Sequence, residues 1–271
     1  MDFLLEMGYS DSEIAEAFDK TNGDFNDAAS LLLSSPPSRT RWTVLENLSQ
    51  YSFTDSGVSA CTSIACIAVR RVLERLGSSE SGDKIHSLHD ASFLQEVLLQ
   101  GIDLHKTVSI SHGGSKEDSH TGVEDVLKSA SDVMGGLRVV DSLQGTTLSE
   151  DSLDSLLMRI NTSSNIDRGK FCGIVLTKPP ETVALILCSA EEGKTSSSSS
   201  SSSPPPPHYV LFDSHSRPQL GISGAYLLSS ADFSGVKTQL QKLFPPSSSN
   251  LSGMSLMEEM YASYEATVLQ L

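Results

Sequence analysis

The stretch from Asp55 to Leu73 constrains the chain most, because it reads as a loop of small residues that turns directly into a helix. Up to Ala60 the residues are small or turn-forming; beyond it Ile64, Ala65, Ala68, Val72 and Leu73 recur at three- and four-residue spacing and predict one buried helical face. Cys61 is therefore expected to open the helix. Backbone N–H groups without intrahelical partners and the positive end of the macrodipole favour a thiolate over a thiol there. A cysteine so placed is either a prepared nucleophile or one more small, half-buried residue, as most intracellular cysteines are.

The run Phe212-Asp213-Ser214-His215-Ser216-Arg217-Pro218 is the second informative stretch. On a strand, Asp213 and His215 point to one face about 7 Å apart along the backbone. A carboxylate there can hold one ring nitrogen of the imidazole and leave the other to serve a thiol. Cys61, His215 and Asp213 would then be nucleophile, base and orienter. Gln50 is placed either to donate its amide N–H to a developing oxyanion, beside the Cys61 backbone N–H, or to be an exposed polar loop residue.

Composition narrows the setting. No run approaches the roughly 20 apolar residues of a membrane span, and no basic segment followed by an apolar one opens the chain, so an intracellular protein is expected. Cys61, Cys66, Cys172 and Cys188 form no CxxC pair; the last three sit in apolar runs, as reduced core cysteines do. His105, His112 and His120 fall in what reads as a His- and Gly-rich loop over 105–122, without supporting cysteines, so neither a metal nor another cofactor is expected. Acids outnumber bases 34 to 19 and the formal charge is -15. Such a surface repels phosphate backbones and anionic lipid, which argues against nucleic acid and membrane as partners and for a basic protein or peptide tail. Oligomeric state leaves no signature.

The chain divides into three parts. Residues 1–34 read as three short helices, Asp2–Tyr9, one opened by Ser10-Asp11-Ser12-Glu13, and Asp27–Leu33, with Asn22-Gly23-Asp24 as a turn. Residues 35–41 form a Pro/Ser linker. Residues 42–271 carry the Cys61 helix, helices over His89–Gln100, Val123–Met134 and Ser149–Ile160, and strands near 137–140, 171–177, 182–188, 208–213 and 225–228. A helix over Phe233–Phe244 and a final helical stripe through Met254, Met257, Tyr261, Tyr264, Val268 and Leu271 follow. The Ser/Pro insert at about 190–207 has nothing to bury and is expected to be a disordered hairpin extension.

Two resemblances attach to these residues. Met7-Gly8-Tyr9, Ala15 to Ala17, Asn22-Gly23-Asp24 and Ala28 to Leu32 resemble the ubiquitin-associated domain, a three-helix ubiquitin-binding fold. The likeness implies that Met7, Gly8, Tyr9, Leu31 and Leu32 dock on ubiquitin; the alternative is a bundle that only packs on the rest of the chain. Gln50, the loop into Ala60-Cys61-Thr62, and Tyr209 to His215 resemble the viral tegument-like deubiquitinases, over roughly residues 42–245. That likeness implies an α+β, papain-like cysteine peptidase fold, a helical lobe plus an antiparallel sheet, preceded by the small three-helix bundle. It further implies Cys61 as nucleophile, His215 as general base, Asp213 as orienter and Gln50 as oxyanion donor. The reaction would be hydrolysis of the isopeptide bond after the C-terminal glycine of ubiquitin, on ubiquitin or polyubiquitin chains, through a thioester. A non-catalytic ubiquitin-binding adaptor on a peptidase fold, or a peptidase for a ubiquitin-like modifier, are the rival readings.

Overall fold

The computed structural model describes residues 11–33, 40–53, 57, 59–78, 85–111, 121–145, 148–162, 171–188, 208–245 and 261–271. The helix expected over Asp2–Tyr9, with Met7, Gly8 and Tyr9, residues 35–39 of the linker and the Ser/Pro insert lie outside the described residues.

Helices α1 (Asp11–Lys20) and α2 (Phe25–Leu33) bury Ile14, Ala17, Ala28 and Leu32 against one another. Between them Asn22 and Gly23 take positive φ, and the Asp24 carboxylate accepts the Asn26 and Asp27 N–H groups at 2.9 and 3.0 Å, which caps α2.

The elements that follow are β1 (Thr40–Val44), α3 (Cys61–Ser78), α4 (Ala91–Ser111), α5 (Val123–Ser129), β2 (Arg138–Gly145), α6 (Glu150–Thr162), β3 (Cys172–Lys178), β4 (Glu181–Cys188), β5 (His208–Asp213), β6 (Tyr226–Ser230), α7 (Phe233–Leu243) and β7 (Tyr264–Gln270). The fold class is α+β. Among the described residues, seven strands form one antiparallel sheet in the order β1-β6-β5-β4-β3-β7-β2. Alternation along the strands divides the apolar side chains between two cores. Val175, Ala184, Ile186, Val210 and Phe212 join the core built by α3, α4 and α5. Ile174, Leu176, Val183, Leu185 and Leu211 join a second core with α6 and α7.

Helix α3 starts at Cys61, as its pattern predicts, but it is buried all round from Cys61 to Val69 and not along one face. Strands β3, β4 and β5 cover one side of it, and α4 and α5 pack on it as well. The close approach of α4 depends on Gly101, where a Cβ would stand 2.4 Å from the Ile64 Cα.

The helix expected over Val123–Met134 ends at Ser129, and Thr40 and Arg41, the end of the expected linker, already belong to β1. Two larger expectations need correction. Residues 105–111 are helix, since α4 runs on to Ser111; Gly101 is a contact glycine within it, and Ile102, Leu104 and Val108 continue its buried side. The C-terminal stripe is not helical over 264–270, which form β7 between β3 and β2. There the operative period is two: Tyr264, Ala266 and Val268 enter one core, while Leu269 enters the other and Leu271 packs against it; only the four-residue step from Tyr264 to Val268 fits both periods.

Gly101→Ala should lower the midpoint of thermal unfolding, because the added methyl must push α4 off the α3 backbone. The expected cost is about 1–3 kcal/mol, read from chemical denaturation monitored by circular dichroism.

Candidate active site

The first turn of α3 presents Cys61, with the Ala60 carbonyl accepting the Ile64 N–H at 2.9 Å. Ahead of it, Gly57 N–H donates to the Phe53 carbonyl at 2.9 Å and Ala60 N–H to the Gly57 carbonyl at 3.2 Å. A Cβ at Gly57 would lie 1.9 Å from the Gln50 carbonyl oxygen, so only glycine lets the loop rest on the turn that carries Gln50. Gln50 begins a 3-10 turn, Gln50–Ser52, and is buried. Its N–H donates to the Ser214 carbonyl at 3.0 Å, and its Oε1 accepts the Ser214 hydroxyl at 2.7 Å. The Ser214 hydroxyl on Oε1 orients the Gln50 amide and leaves Nε2 as its donor end.

Asp213 ends β5 and is fully buried. Its Oδ1 accepts both the backbone N–H of His215 at 3.0 Å and the ring Nδ1 at 2.6 Å, while Oδ2 accepts Arg217 Nε at 2.8 Å. Tyr226, opposite Asp213 in the β5–β6 register, hydrogen-bonds the same carboxylate and accepts the Gln239 amide at 3.0 Å. An ionised carboxylate only accepts, so the ring proton sits on Nδ1. The imidazole in turn hydrogen-bonds Cys61. Tyr51, half-exposed, stands over that ring with its centroid 5.6 Å away.

These contacts set the charges. Burial works against a Cys61 thiolate, but the hydrogen bond and charge of His215, with lesser help from Thr182, outweigh it and hold the thiol below its ordinary value. Burial likewise works against an imidazolium at His215, yet the bonds to Asp213 and Cys61 raise the ring to about 9. Burial would also protonate Asp213; His215 and Arg217 reverse this and keep it ionised. Cys66 and Cys172 have no such partner, and burial alone pushes both up to about 12. The arrangement can therefore hold a thiolate beside an imidazolium at neutral pH, with one donor turn at its side.

Of the residues singled out in the sequence, Cys61, His215, Asp213 and Gln50 come together. His215 lies two positions past the end of β5, reached by the turn that its own N–H makes onto Asp213. Leu31 is 40% exposed on α2, whereas Leu32, at 7%, belongs to the small core between α1 and α2. Sequence reasoning passed over Arg217, Glu181, Thr182, Ser214 and Tyr226. Arg217 had a signal, since 213, 215 and 217 share one face of an extended chain. Glu181 and Thr182 had none, being delivered by the β3–β4 hairpin. Among the described residues no cluster of His, Cys, Asp and Glu is placed to hold a metal ion, and no helix is long and apolar enough to cross a membrane.

Compared with models of known protein families and with curated proteins, the sequence matches none.

At neutral pH, iodoacetamide should modify Cys61 ahead of Cys66 and Cys172, as read by peptide mapping. His215→Ala should slow the Cys61 reaction at least about tenfold, because the remaining thiol is then mostly protonated.

Proposed function

We propose that this chain is a cysteine-type deubiquitinase of papain-like fold, which hydrolyses the isopeptide bond after the C-terminal glycine of ubiquitin. The observation that carries the reading is the convergence of Cys61 at a helix start with the fully paired His215–Asp213 couple and the Gln50 donor turn. A helix packed on an antiparallel sheet, with the imidazole beyond a strand end, supports the fold assignment. The likeness of the N-terminal bundle to ubiquitin-associated domains supports the substrate. On that bundle Phe25 and Leu31 are exposed apolar side chains of α2, as a docking face requires, while Leu32 serves the interior.

In this reading the Cys61 thiolate attacks the carbonyl carbon of the terminal glycine. Negative charge on the carbonyl oxygen is met by Gln50 Nε2 and the Cys61 backbone N–H. His215 gives its Nε2 proton to the departing lysine amine, leaving a thioester between Cys61 and ubiquitin. The neutral imidazole then takes a proton from water, whose oxygen attacks the thioester and releases the ubiquitin carboxylate and the thiol.

A ubiquitin carrying a C-terminal electrophile should add once to the wild type and to Cys66→Ala, and not to Cys61→Ala, by intact mass. No adduct on folded wild type overturns the reading in favour of a non-catalytic ubiquitin binder, or of a peptidase for another modifier if a different modifier probe adds instead. Gln50→Ala should reduce kcat by roughly 100- to 1,000-fold with little change in KM, because its amide acts on charge that develops only in the transition state. Turnover should fall above about pH 9, where His215 loses the proton the leaving amine needs.

A further inference from the structure

Arg217 is nearly fully buried and carries a charge that cannot be discharged by deprotonation. It has two anionic partners. Its Nε donates to Asp213 Oδ2 at 2.8 Å, and its Nη1 donates to Glu181 Oε1 and Oε2 at 2.7 and 2.8 Å. Its Nη2 stands 3.4 Å from His215 Nδ1, the nitrogen whose hydrogen is turned to Asp213. The guanidinium is launched from a closed loop, in which Arg217 N–H donates to the Ile222 carbonyl at 2.8 Å and Ile222 N–H to the Arg217 carbonyl at 3.0 Å.

Two consequences follow from that placement. Asp213 is gripped from both sides, by His215 on Oδ1 and Arg217 on Oδ2, so it cannot rotate without breaking both bonds. A cation this close to an imidazole would, alone, oppose the imidazolium; Glu181 cancels much of that charge. The other ionisable groups that face the ring are Asp213 on β5, Cys61 on α3, and the phenols Tyr51 and Tyr226, both of which burial keeps neutral.

We propose that Arg217, balanced by Glu181, is a positioning residue that fixes the Asp213 carboxylate and sets the pH window of the Cys61–His215 ion pair. The proposal rests on Cys61 and His215 being the reacting pair, but not on the identity of the substrate. Removing a positive charge raises the ionisation midpoints of both neighbours, and removing a negative charge lowers them. The two deletions therefore act in opposite directions, which a purely structural salt bridge has no reason to produce.

The test follows Cys61 ionisation by the ultraviolet absorbance of its thiolate, with Cys61→Ser as background, and His215 by the NMR signal of its ring, in full-length protein across pH. Glu181→Gln should lower both midpoints by about one pH unit, and Arg217→Met should raise both by about one. Arg217→Lys, which keeps the charge but loses the fork, should restore the midpoints while kcat stays depressed. Midpoints that stay put, or that move the same way in Glu181→Gln and Arg217→Met, overturn the proposal. Should Arg217→Met fail to fold, Glu181→Gln decides alone, since that side chain reaches the surface. A wild type without thiolate below the ordinary cysteine range overturns the reacting-pair reading, and this proposal with it.

Discussion

A single buried carboxylate organises the site. Taking an ionised carboxyl out of water costs several kcal/mol unless its oxygens are fully hydrogen-bonded, and Asp213 is without solvent exposure. Its donors come from the next turns of its own chain, the His215 N–H and ring and the Arg217 guanidinium, and from Tyr226 on the neighbouring strand. The requirement spreads outward from there. Gln239 on α7 holds the Tyr226 hydroxyl, and Trp42 on the edge strand β1 packs on the Tyr226 ring at 5.4 Å between centroids. Elements far apart in sequence are thus committed to one charge, and the orientation of His215 is a by-product of satisfying it.

Burial of α3 plays the complementary part. A helix end in water has its dipole screened, whereas α3 is enclosed by the sheet and α4 from its first residue. The same enclosure pushes a lone thiol up, as Cys66 on the same helix demonstrates. Cys61 escapes because the low-dielectric surroundings that penalise its charge also strengthen its bond to His215. What separates two cysteines five residues apart on one helix is therefore the presence of a partner, not depth.

What the sequence made legible follows the range of the interaction. The start of the Cys61 helix follows its period of three to four, although the helix is buried on all sides. The Asp213/His215 pair is legible as a two-residue spacing, but a turn beyond the end of β5, not strand alternation, joins the two side chains. Gln50 is legible as one of two readings, a donor to an oxyanion or an exposed loop residue, because the Ser214 hydroxyl that orients its amide is 164 residues away and leaves no local mark. Glu181 and Thr182 are likewise visible only once the β3–β4 hairpin is paired. The errors have physical causes as well. The helix from His89 is expected to stop at Gln100 because the His- and Gly-rich letters beyond it hide the buried Ile102, Leu104 and Val108, and β7 reads as helical because the four-residue step from Tyr264 to Val268 fits a strand as well as a helix.

The end of β5 shows how much one short run can hold. The turn just past β5 brings His215 onto one oxygen of Asp213 and Arg217 onto the other, with Ser214 between them in sequence. Ser214 then makes two bonds to Gln50, one through its carbonyl and one through its hydroxyl. The base and the donor turn are thereby tied to the same five residues, so any shift of this segment moves both together relative to Cys61. That coupling suits a reaction in which proton transfer and oxyanion stabilisation must be aligned on one sulfur–carbon bond, because neither can drift out of register alone. Gly57 fits the same constraint: with Gln50 tied to Ser214, a Cβ at position 57 would collide with the Gln50 carbonyl, and glycine has none.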